Sequence, residues 1–206
     1  MRGWLPFADY PDSTTEPSFY LRSMLNVTTT SSIDDLRQIL DLQKENLIRN
    51  LSKDEMQAQG FVTVDHTMEM LKQMHDMAPS IIVKDEEKVV GYALTMLRAF
   101  SKMVPELETM FQKIESLTWS NKQINEYDYY VMGQICIDKA YRGQGLFDLL
   151  YHKHREVYQT LFDFIITEVA TRNLRSLNAH KRVGFETINI YRDELDEWAV
   201  VLWNWS

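Results

Sequence analysis

The sequence contains few of the residues that form covalent cross-links or metal sites. Among its 206 residues there is one cysteine, Cys136, so an intramolecular disulfide is impossible and a zinc site built from thiolates is disfavoured. The five histidines lack the spacing of metal ligands, because even His152 and His154 would point to different faces of a helix. We therefore expect no metal site.

Long hydrophobic runs and positive charge are also scarce. No apolar run approaches the roughly 20 residues that span a bilayer, and no basic N-terminal segment precedes a hydrophobic stretch. These absences predict a cytoplasmic chain with no membrane partner. With 22 Lys and Arg against 30 Asp and Glu, the net charge is -8. This charge argues against nucleic acid as a partner and favours a cationic or small neutral substrate.

What is present is the composition of one folded domain. Hydrophobic residues make up 45% and charged residues 25% of the chain, which is enough apolar mass for a core. Residues 1–23 contain three prolines and a Ser/Thr cluster without periodicity, so we expect a flexible N-terminal extension there. Residues 24–206 form the predicted domain.

Within this domain the hydrophobic period changes between helical and extended segments. Helices are predicted over residues 33–47, from Ser52, over 68–78, over 105–117 inside an insertion at 98–128, over 145–158 and over 174–183. Strands are predicted near residues 25–27, 81–83, 89–94, 129–137, 164–169, 188–191 and 198–203. The 145–158 helix is expected to turn Leu146, Leu149, Leu150 and Val157 inward. The 129–137 strand, this helix and the 164–169 strand predict a right-handed crossover.

The loop between that strand and that helix has the features of a phosphate site. Gly143 and Gly145 allow consecutive backbone N–H groups to converge on one point, and the helix dipole adds partial positive charge. Arg142 would add a full charge. The alternative is a strand-to-helix turn that binds nothing.

Two other kinds of phosphate site fit the residues less well. A P-loop requires Lys and then Ser or Thr after its last glycine, whereas Leu146 and Phe147 follow Gly145. A dinucleotide fingerprint could use Glu168 as its acidic residue, but Asp148 occupies the position that requires Gly or Ala. Asp148 would also place a carboxylate near a bound diphosphate.

The same loop resembles the GCN5-related N-acetyltransferase (GNAT) family. Arg142 and Gly145 match its stretch Arg/Gln-x-x-Gly-x-Gly/Ala, while Phe147 replaces the last small residue. A second match follows the strand that ends at Glu168. There Asn173, Ser176, His180, Gly184 and Phe185 stand at the family's spacing for its Asn, small residue, Tyr, Gly and Phe.

The resemblance implies an α/β (α+β) fold with a central mixed, mostly antiparallel sheet of six to seven strands and helices on both faces. In that fold the strand carrying residues 135–137 splays from the strand carrying 164–169, and acetyl-CoA lies in the opening as the acyl-donor co-substrate. The implied cofactor-binding residues are Ile135, Cys136, Ile137, Arg142, Gly143, Gln144, Gly145, Leu146, Phe147, Asn173 and Ser176. By the same analogy, the N–H of Ile137 or of a neighbour would polarise the thioester carbonyl.

Direct transfer needs a base for the amine proton and an acid for the leaving thiolate. His180 stands at the family's Tyr position, and an imidazolium with a pKa near 6.5 could protonate a thiolate; the alternative is that it only packs or bonds to the cofactor. We favour Glu168 as the base, against the alternative of a solvated strand end or a salt bridge. Gln134, Tyr130 and Asp138 are other residues expected near the opening, whereas Cys136 is expected to be inert.

The resemblance therefore implies an acetyl-CoA-dependent N-acetyltransferase acting on a primary amine of a small molecule or peptide. The alternative is a non-catalytic acyl-CoA-binding regulator, favoured by the departures at His180 and Phe147; a nucleotide-dependent oxidoreductase is more distant. Residues 68–77 and the 98–128 insertion are expected to select the acceptor. Whether the acyl group is acetyl or longer, and whether the protein forms a homodimer, stay open.

Overall fold

The computed structural model describes residues 25–50, 62, 64–103 and 105–205. The expected N-terminal extension and the expected helix start at Ser52 lie outside the described residues.

Five α-helices and nine β-strands occur in this part of the chain. They are β1 (Leu25–Thr29), α1 (Ile33–Asn46), α2 (Met68–Met77), β2 (Ile81–Asp85), β3 (Lys88–Leu97), α3 (Pro105–Glu115), β4 (Thr118–Trp119), β5 (Lys122–Gln123), β6 (Tyr129–Ile137), α4 (Leu146–Tyr158), β7 (Phe164–Ala170), α5 (Leu174–Val183), β8 (Glu186–Arg192) and β9 (Glu197–Asn204). Apart from β4 and β5, each corresponds to a segment predicted from the sequence. Strands β4 and β5 form a separate hairpin in the insertion, and two residues are too few to show a period.

Seven strands form one sheet in the order β1-β2-β3-β6-β7-β9-β8. The described neighbours pair antiparallel except β6 and β7, which run parallel and are joined through α4. This arrangement confirms the expected mixed, mostly antiparallel sheet with a crossover between β6 and β7.

Helix α1 begins as its sequence predicts. The Ser32 hydroxyl accepts from the N–H of Asp35 at 3.1 Å, and the Asp35 carboxylate accepts from the N–H of Ser32 at 3.1 Å. This reciprocal pair satisfies two of the amides that every helix start leaves without an intrahelical acceptor. Leu36, Ile39 and Leu42 then face the core, which places the end of α1 beside the carboxyl end of β6.

The sheet has a hydrophobic core on each face. Helices α1, α2 and α3 pack on one face, and α4 and α5 pack on the other. The expected inward position of Leu149 is wrong, because this side chain is 37% exposed. The buried stripe of α4 runs through Leu146, Leu150, His154 and Tyr158 in steps of four residues, with Tyr151 beside it.

Strands β6 and β7 separate soon after they start. Their described pairing covers Tyr129, Tyr130 and Val131 against Phe164, Ile165 and Ile166. Next, the Thr167 hydroxyl donates to the Met132 carbonyl at 2.8 Å. A bulge follows in β6, where four residues from Met132 to Ile135 lie opposite the three from Ala93 to Thr95. The strands therefore open toward their carboxyl ends, where α4 and α5 begin.

Candidate functional site

A cleft of about 580 Å³ lies at this opening. Its walls come from the end of β6, the loop after it, the start of α4, one side of α5 along most of its length, and Asn46 and Val62. Ten of the eleven predicted cofactor-binding residues line it: Ile135, Cys136, Ile137, Arg142, Gly143, Gly145, Leu146, Phe147, Asn173 and Ser176. The eleventh, Gln144, donates its side-chain amide to the Ala140 carbonyl at 3.1 Å.

The floor of the cleft carries main-chain donors. Gly143 and Gly145 have φ values of +77° and +83°, a region that glycine enters without steric cost. Gly145 is the N-cap of α4 and makes no side-chain cap bond. The first amides of α4 have no intrahelical acceptor and sit at the positive end of the helix dipole. This geometry suits an anion such as a diphosphate.

The open edge of β6 adds further donors. The N–H of Asp138 donates to the Val90 carbonyl of β3 at 2.9 Å. Because N–H groups alternate in direction along a strand, those of Ile137 and Ile135 point away from β3 and toward the opening. They are placed to bond an extended amide-containing chain or a thioester oxygen.

Arg142 connects the loop to the rest of the fold. Its Nε donates to the Ile137 carbonyl at 3.0 Å, and Nη2 donates to Asn46 Oδ1 at 2.5 Å. Asn46 is itself buried and donates to the Leu42 carbonyl at 2.8 Å. Arg142 therefore brings a positive charge to the cleft and also ties the glycine loop to β6 and α1.

The sequence interpretation missed two further arginines in the cleft. Arg175 and Arg182 line it from α5, and their seven-residue spacing on a predicted helix is a signal that could have identified them. Arg182 donates to Asp148 at 2.6 Å. This ion pair offsets the negative charge that Asp148 was expected to bring near a diphosphate.

His180 lies below the cleft rather than on its surface. It is 1% exposed, its Nδ1 lies 2.8 Å from the Ser176 carbonyl, and its Nε2 lies 2.6 Å from the Tyr151 hydroxyl. A carbonyl only accepts, so Nδ1 carries the proton and Nε2 accepts from Tyr151. Burial lowers the pKa of His180 to about 4. The ring is therefore neutral at pH 7, which corrects the expected imidazolium.

Two other candidates, Asp138 and Tyr130, have structural partners, and a third, Cys136, is a buried thiol. Asp138 accepts from Lys88 at 2.7 Å and from the N–H of Ala140 at 2.9 Å. The Tyr130 hydroxyl lies 2.9 Å from Nδ1 of His154 in the core. Cys136 lines the cleft, but burial raises the pKa of its thiol to about 12, so the thiolate that a nucleophile requires is scarce near neutral pH.

A second, smaller cavity of about 90 Å³ continues from the cleft between β6 and β7. Both cavities are lined by Val62, Ile135, Asn173 and Ser176. Gln134, Glu168 and His180 all line the smaller cavity. Gln134 is held by the Tyr92 hydroxyl at 2.5 Å and donates to the Val64 carbonyl at 2.8 Å.

Glu168 is the titratable group of this cavity that is best suited to proton transfer. Burial raises the pKa of its carboxyl to about 7, although a hydrogen bond from Tyr191 at 2.8 Å opposes that rise. A carboxyl with this pKa exchanges protons readily near neutral pH. The geometry therefore joins an anion site to a basic group through one continuous opening.

Two absences concern the described residues alone. Across 25–50, 62, 64–103 and 105–205, no group of three or more His, Cys, Asp or Glu residues is arranged to hold a metal ion. In the same ranges, no helix has both the length and the apolar character needed to cross a membrane.

Comparison with known families identifies the same segment. A sequence model described as the Acetyltransferase (GNAT) family matches residues 45–185, which include β6, the glycine loop, Glu168 and His180. No curated protein sequence matches this chain significantly.

Solved structures share the fold at low sequence identity. The ribosomal-protein-S18-alanine N-acetyltransferase from Escherichia coli has a TM-score of 0.59 and 12% identity, with 88% of this chain and 94% of that chain covered. The NatC complex bound to Gag peptide and CoA has a TM-score of 0.60 and 12% identity, covering 88% and 99%. The yncA protein from Salmonella typhimurium, solved with its cofactor acetyl-CoA, has a TM-score of 0.56 and 9% identity, covering 88% and 94%.

Proposed function

Because the chain belongs to the acetyltransferase (GNAT) family, we propose that it moves the acetyl group of acetyl-CoA directly to a primary amine of a small molecule or peptide. The family makes the chain an acyltransferase with acetyl-CoA as donor; the acceptor and the direct mechanism are the proposal. The observation that carries it is the continuous opening between β6 and β7, which has an anion site at one end and Glu168 at the other.

In this proposal the donor occupies the larger cleft. The first amides of α4 hold the diphosphate, and Arg142 and Arg175 supply positive charge around it. The pantetheine arm runs along the open edge of β6, where Ile135 and Ile137 offer backbone N–H groups. Asn173 caps α5 by accepting from the N–H of Ser176 at 3.2 Å, which shapes the wall opposite this edge.

Glu168 acts on the acceptor. An amine arrives mainly as ammonium, and the carboxylate removes its proton, directly or through water. The neutral nitrogen then attacks the thioester carbon, and the N–H of Ile137 stabilises the developing oxyanion. The C–N bond forms as the C–S bond breaks, and the attacking nitrogen gives up its second proton to water as it becomes an amide. The thiolate of CoA leaves and takes a proton from solvent, and Glu168 returns its own proton to solvent.

His180 has a supporting role in this mechanism. Both of its ring nitrogens are engaged, one with Ser176 and one with Tyr151, and its pKa of about 4 keeps it neutral. We therefore assign it to orienting the start of α5 against α4 rather than to protonating the thiolate. The departure from the family's Tyr at this position then leaves catalysis by Glu168 intact.

The decisive experiment incubates the purified chain with acetyl-CoA and a panel of primary amines, including polyamines, amino acids and peptides with free N-termini. Free thiol is measured over time, and mass spectrometry locates the acetyl group. We expect thiol release that depends on an acceptor, with acetyl on its amine. Saturable CoA binding with no acceptor-dependent thiol release would instead support a non-catalytic acyl-CoA-binding regulator.

A further inference from the structure

The hydrogen bond that the Glu168 carboxylate accepts comes from a strand that is not adjacent to β7. Tyr191 lies on β8, and β9 separates β8 from β7. The two residues are therefore about 10 Å apart along the hydrogen-bonding direction of the sheet. Tyr191 reaches across β9, on the sheet face that Glu168 shares, and its hydroxyl donates to Oε1 of Glu168 at 2.8 Å.

A β-bulge puts Tyr191 on that face. Thr187 pairs with Val201, but Asn189 pairs with Val200, so β8 contains one extra residue at Ile188. If β8 instead kept the regular register from Thr187 onward, Ile190 would stand opposite Trp198 in place of Tyr191, and the two side chains would exchange faces. Ile190 instead points to the other side of the sheet, where it is 58% exposed.

The insertion at residues 98–128 reaches the same place. The exposed Lys113 of α3 holds its Nζ 5.3 Å from the centre of the Tyr191 ring. Beyond β8, Asp193 is fixed by the indole N–H of Trp198 at 3.0 Å. Tyr191, Lys113 and Asp193 are the titratable groups that act on the Glu168 carboxyl, and neutral His180 of α5 lines the same cavity.

We propose that Tyr191 is a positioning residue for Glu168, and that the insertion supports this pair through Lys113. The bond from the hydroxyl fixes Oε1, which leaves the lone pairs of Oε2 to accept the amine proton. This proposal rests on the proposed function only in that Glu168 accepts the amine proton. The hydrogen bond between Tyr191 and Glu168 and the charges around it are present without substrate.

The surrounding groups affect the carboxyl in opposite directions. The Tyr191 hydrogen bond and the Lys113 charge lower the pKa of Glu168, whereas Asp193 raises it. Removing the hydroxyl should therefore raise this pKa above about 7, and neutralising Asp193 should lower it. Lys113 is exposed, so removing its charge should raise the pKa less, and salt should erase that smaller effect.

The test is a pH titration of the side-chain carboxyl carbon of Glu168, followed by NMR in the labelled full-length protein. Tyr191→Phe keeps the ring and removes only the hydroxyl. We expect its Glu168 pKa to rise by about one unit, a tenfold change in proton affinity. Lys113→Met should give a smaller rise that disappears in about 0.5 M NaCl, and Asp193→Asn should give a fall.

Kinetics with acetyl-CoA and the most active amine of the panel provide the second measurement. Tyr191→Phe should lower kcat about fivefold at pH 7, because the deprotonated fraction of Glu168 falls, and less at pH 9, with the Kd for CoA unchanged. An unshifted Glu168 pKa in a folded Tyr191→Phe protein would overturn the proposal, as would a kcat loss that is the same at every pH. Shifted titrations in a protein inactive toward every amine would uphold the pair and reject the proposed acetyl transfer.

Discussion

The two ends of the opening between β6 and β7 are built in different ways. The end where we propose that acetyl-CoA binds, here called the donor end, comes mainly from two short stretches, residues 135–148 and 173–182, and it offers backbone amides and glycine conformations. The end where we propose that the amine binds, here called the acceptor end, is built by Gln134, Glu168, Tyr191 and Lys113, which come from four separate elements. Main-chain recognition of an anion needs only a local turn, whereas tuning a carboxylate needs neighbours from elsewhere in the fold.

The largest effect is expected from a substitution that disables the acceptor end and leaves the donor end intact. Glu168→Gln removes the base while keeping a polar side chain of the same shape, so kcat should fall by about 100-fold or more. Wild-type kcat/KM should rise with pH up to about 7, where Glu168 loses its proton, and then level off. The variant should lack this inflection, and calorimetry should find CoA affinity unchanged.

Glu156→Gln is the matched control for this variant, because Glu156 is an exposed glutamate on α4 that pairs with Lys153 at the surface. It should retain both kcat and the pH inflection. An active Glu168→Gln variant with the wild-type pH profile would remove Glu168 from the mechanism.

Breaking the donor end should have a comparable but separate effect. Gly145→Glu places a carboxylate at the start of α4 and forces a residue with a Cβ into a φ of +83°. We expect CoA affinity to fall by about 100-fold, because the carboxylate and the diphosphate are both negative. Two like charges about 5 Å apart at an intermediate dielectric repel each other by roughly 3 kcal/mol.

The matched control is Gln159→Glu, which adds the same carboxylate at the exposed far end of α4. Its CoA affinity, measured by the same calorimetry, should stay within a few-fold of wild type. Unchanged affinity in a folded Gly145→Glu protein would show that the diphosphate does not use this loop.

The buried histidines should make the free energy of unfolding depend on pH. Burial lowers the pKa of His66 to about 4, of His154 to about 3 and of His180 to about 4. Because the unfolded chain binds more protons below pH 6.5, each histidine should remove about 1.4 kcal/mol of stability per pH unit as pH falls from 6 toward 4. Urea unfolding at pH 7.5, 6 and 5 measures this slope.

Glu168 acts in the opposite direction within part of that range. Its pKa is raised from 4.5 to about 7, so the folded state binds the extra proton, and stability rises as pH falls from 7 toward 4.5. Glu168→Gln should therefore make the acid loss of stability steeper. An unaltered slope would mean that the carboxyl has an ordinary pKa.

The smallest effect is expected at Cys136, which lines the larger cleft. Cys136→Ala should change turnover by less than about twofold, because the buried thiol with a pKa of about 12 supplies no thiolate. The loss of a small buried side chain should cost about 1 kcal/mol of stability. Side-by-side rate and urea measurements check both, and a large loss of kcat would place the thiol in the reaction.

How far the sequence predicts this molecule depends on how local each signal is. The 129–137 strand, the glycine loop and the helix after it are all found where their patterns placed them, since a period or a glycine acts within a few residues. Leu149 was misplaced because several apolar residues compete for one face of α4, and only packing decides among them. The hairpin of β4 and β5 was missed because it is too short to show a period.

The sequence by itself determined the alternation of helices and strands, the glycine turn that precedes α4, and the family to which the chain belongs. Only the tertiary structure decided that His180 is neutral, that Asp148 is paired with Arg182, and that Tyr191 reaches Glu168 across β9. The physical reason is that backbone conformation follows from neighbours in the chain. The charge and orientation of a side chain follow from its neighbours in space. For Glu168, a single bulge in β8 makes Tyr191 one of those neighbours.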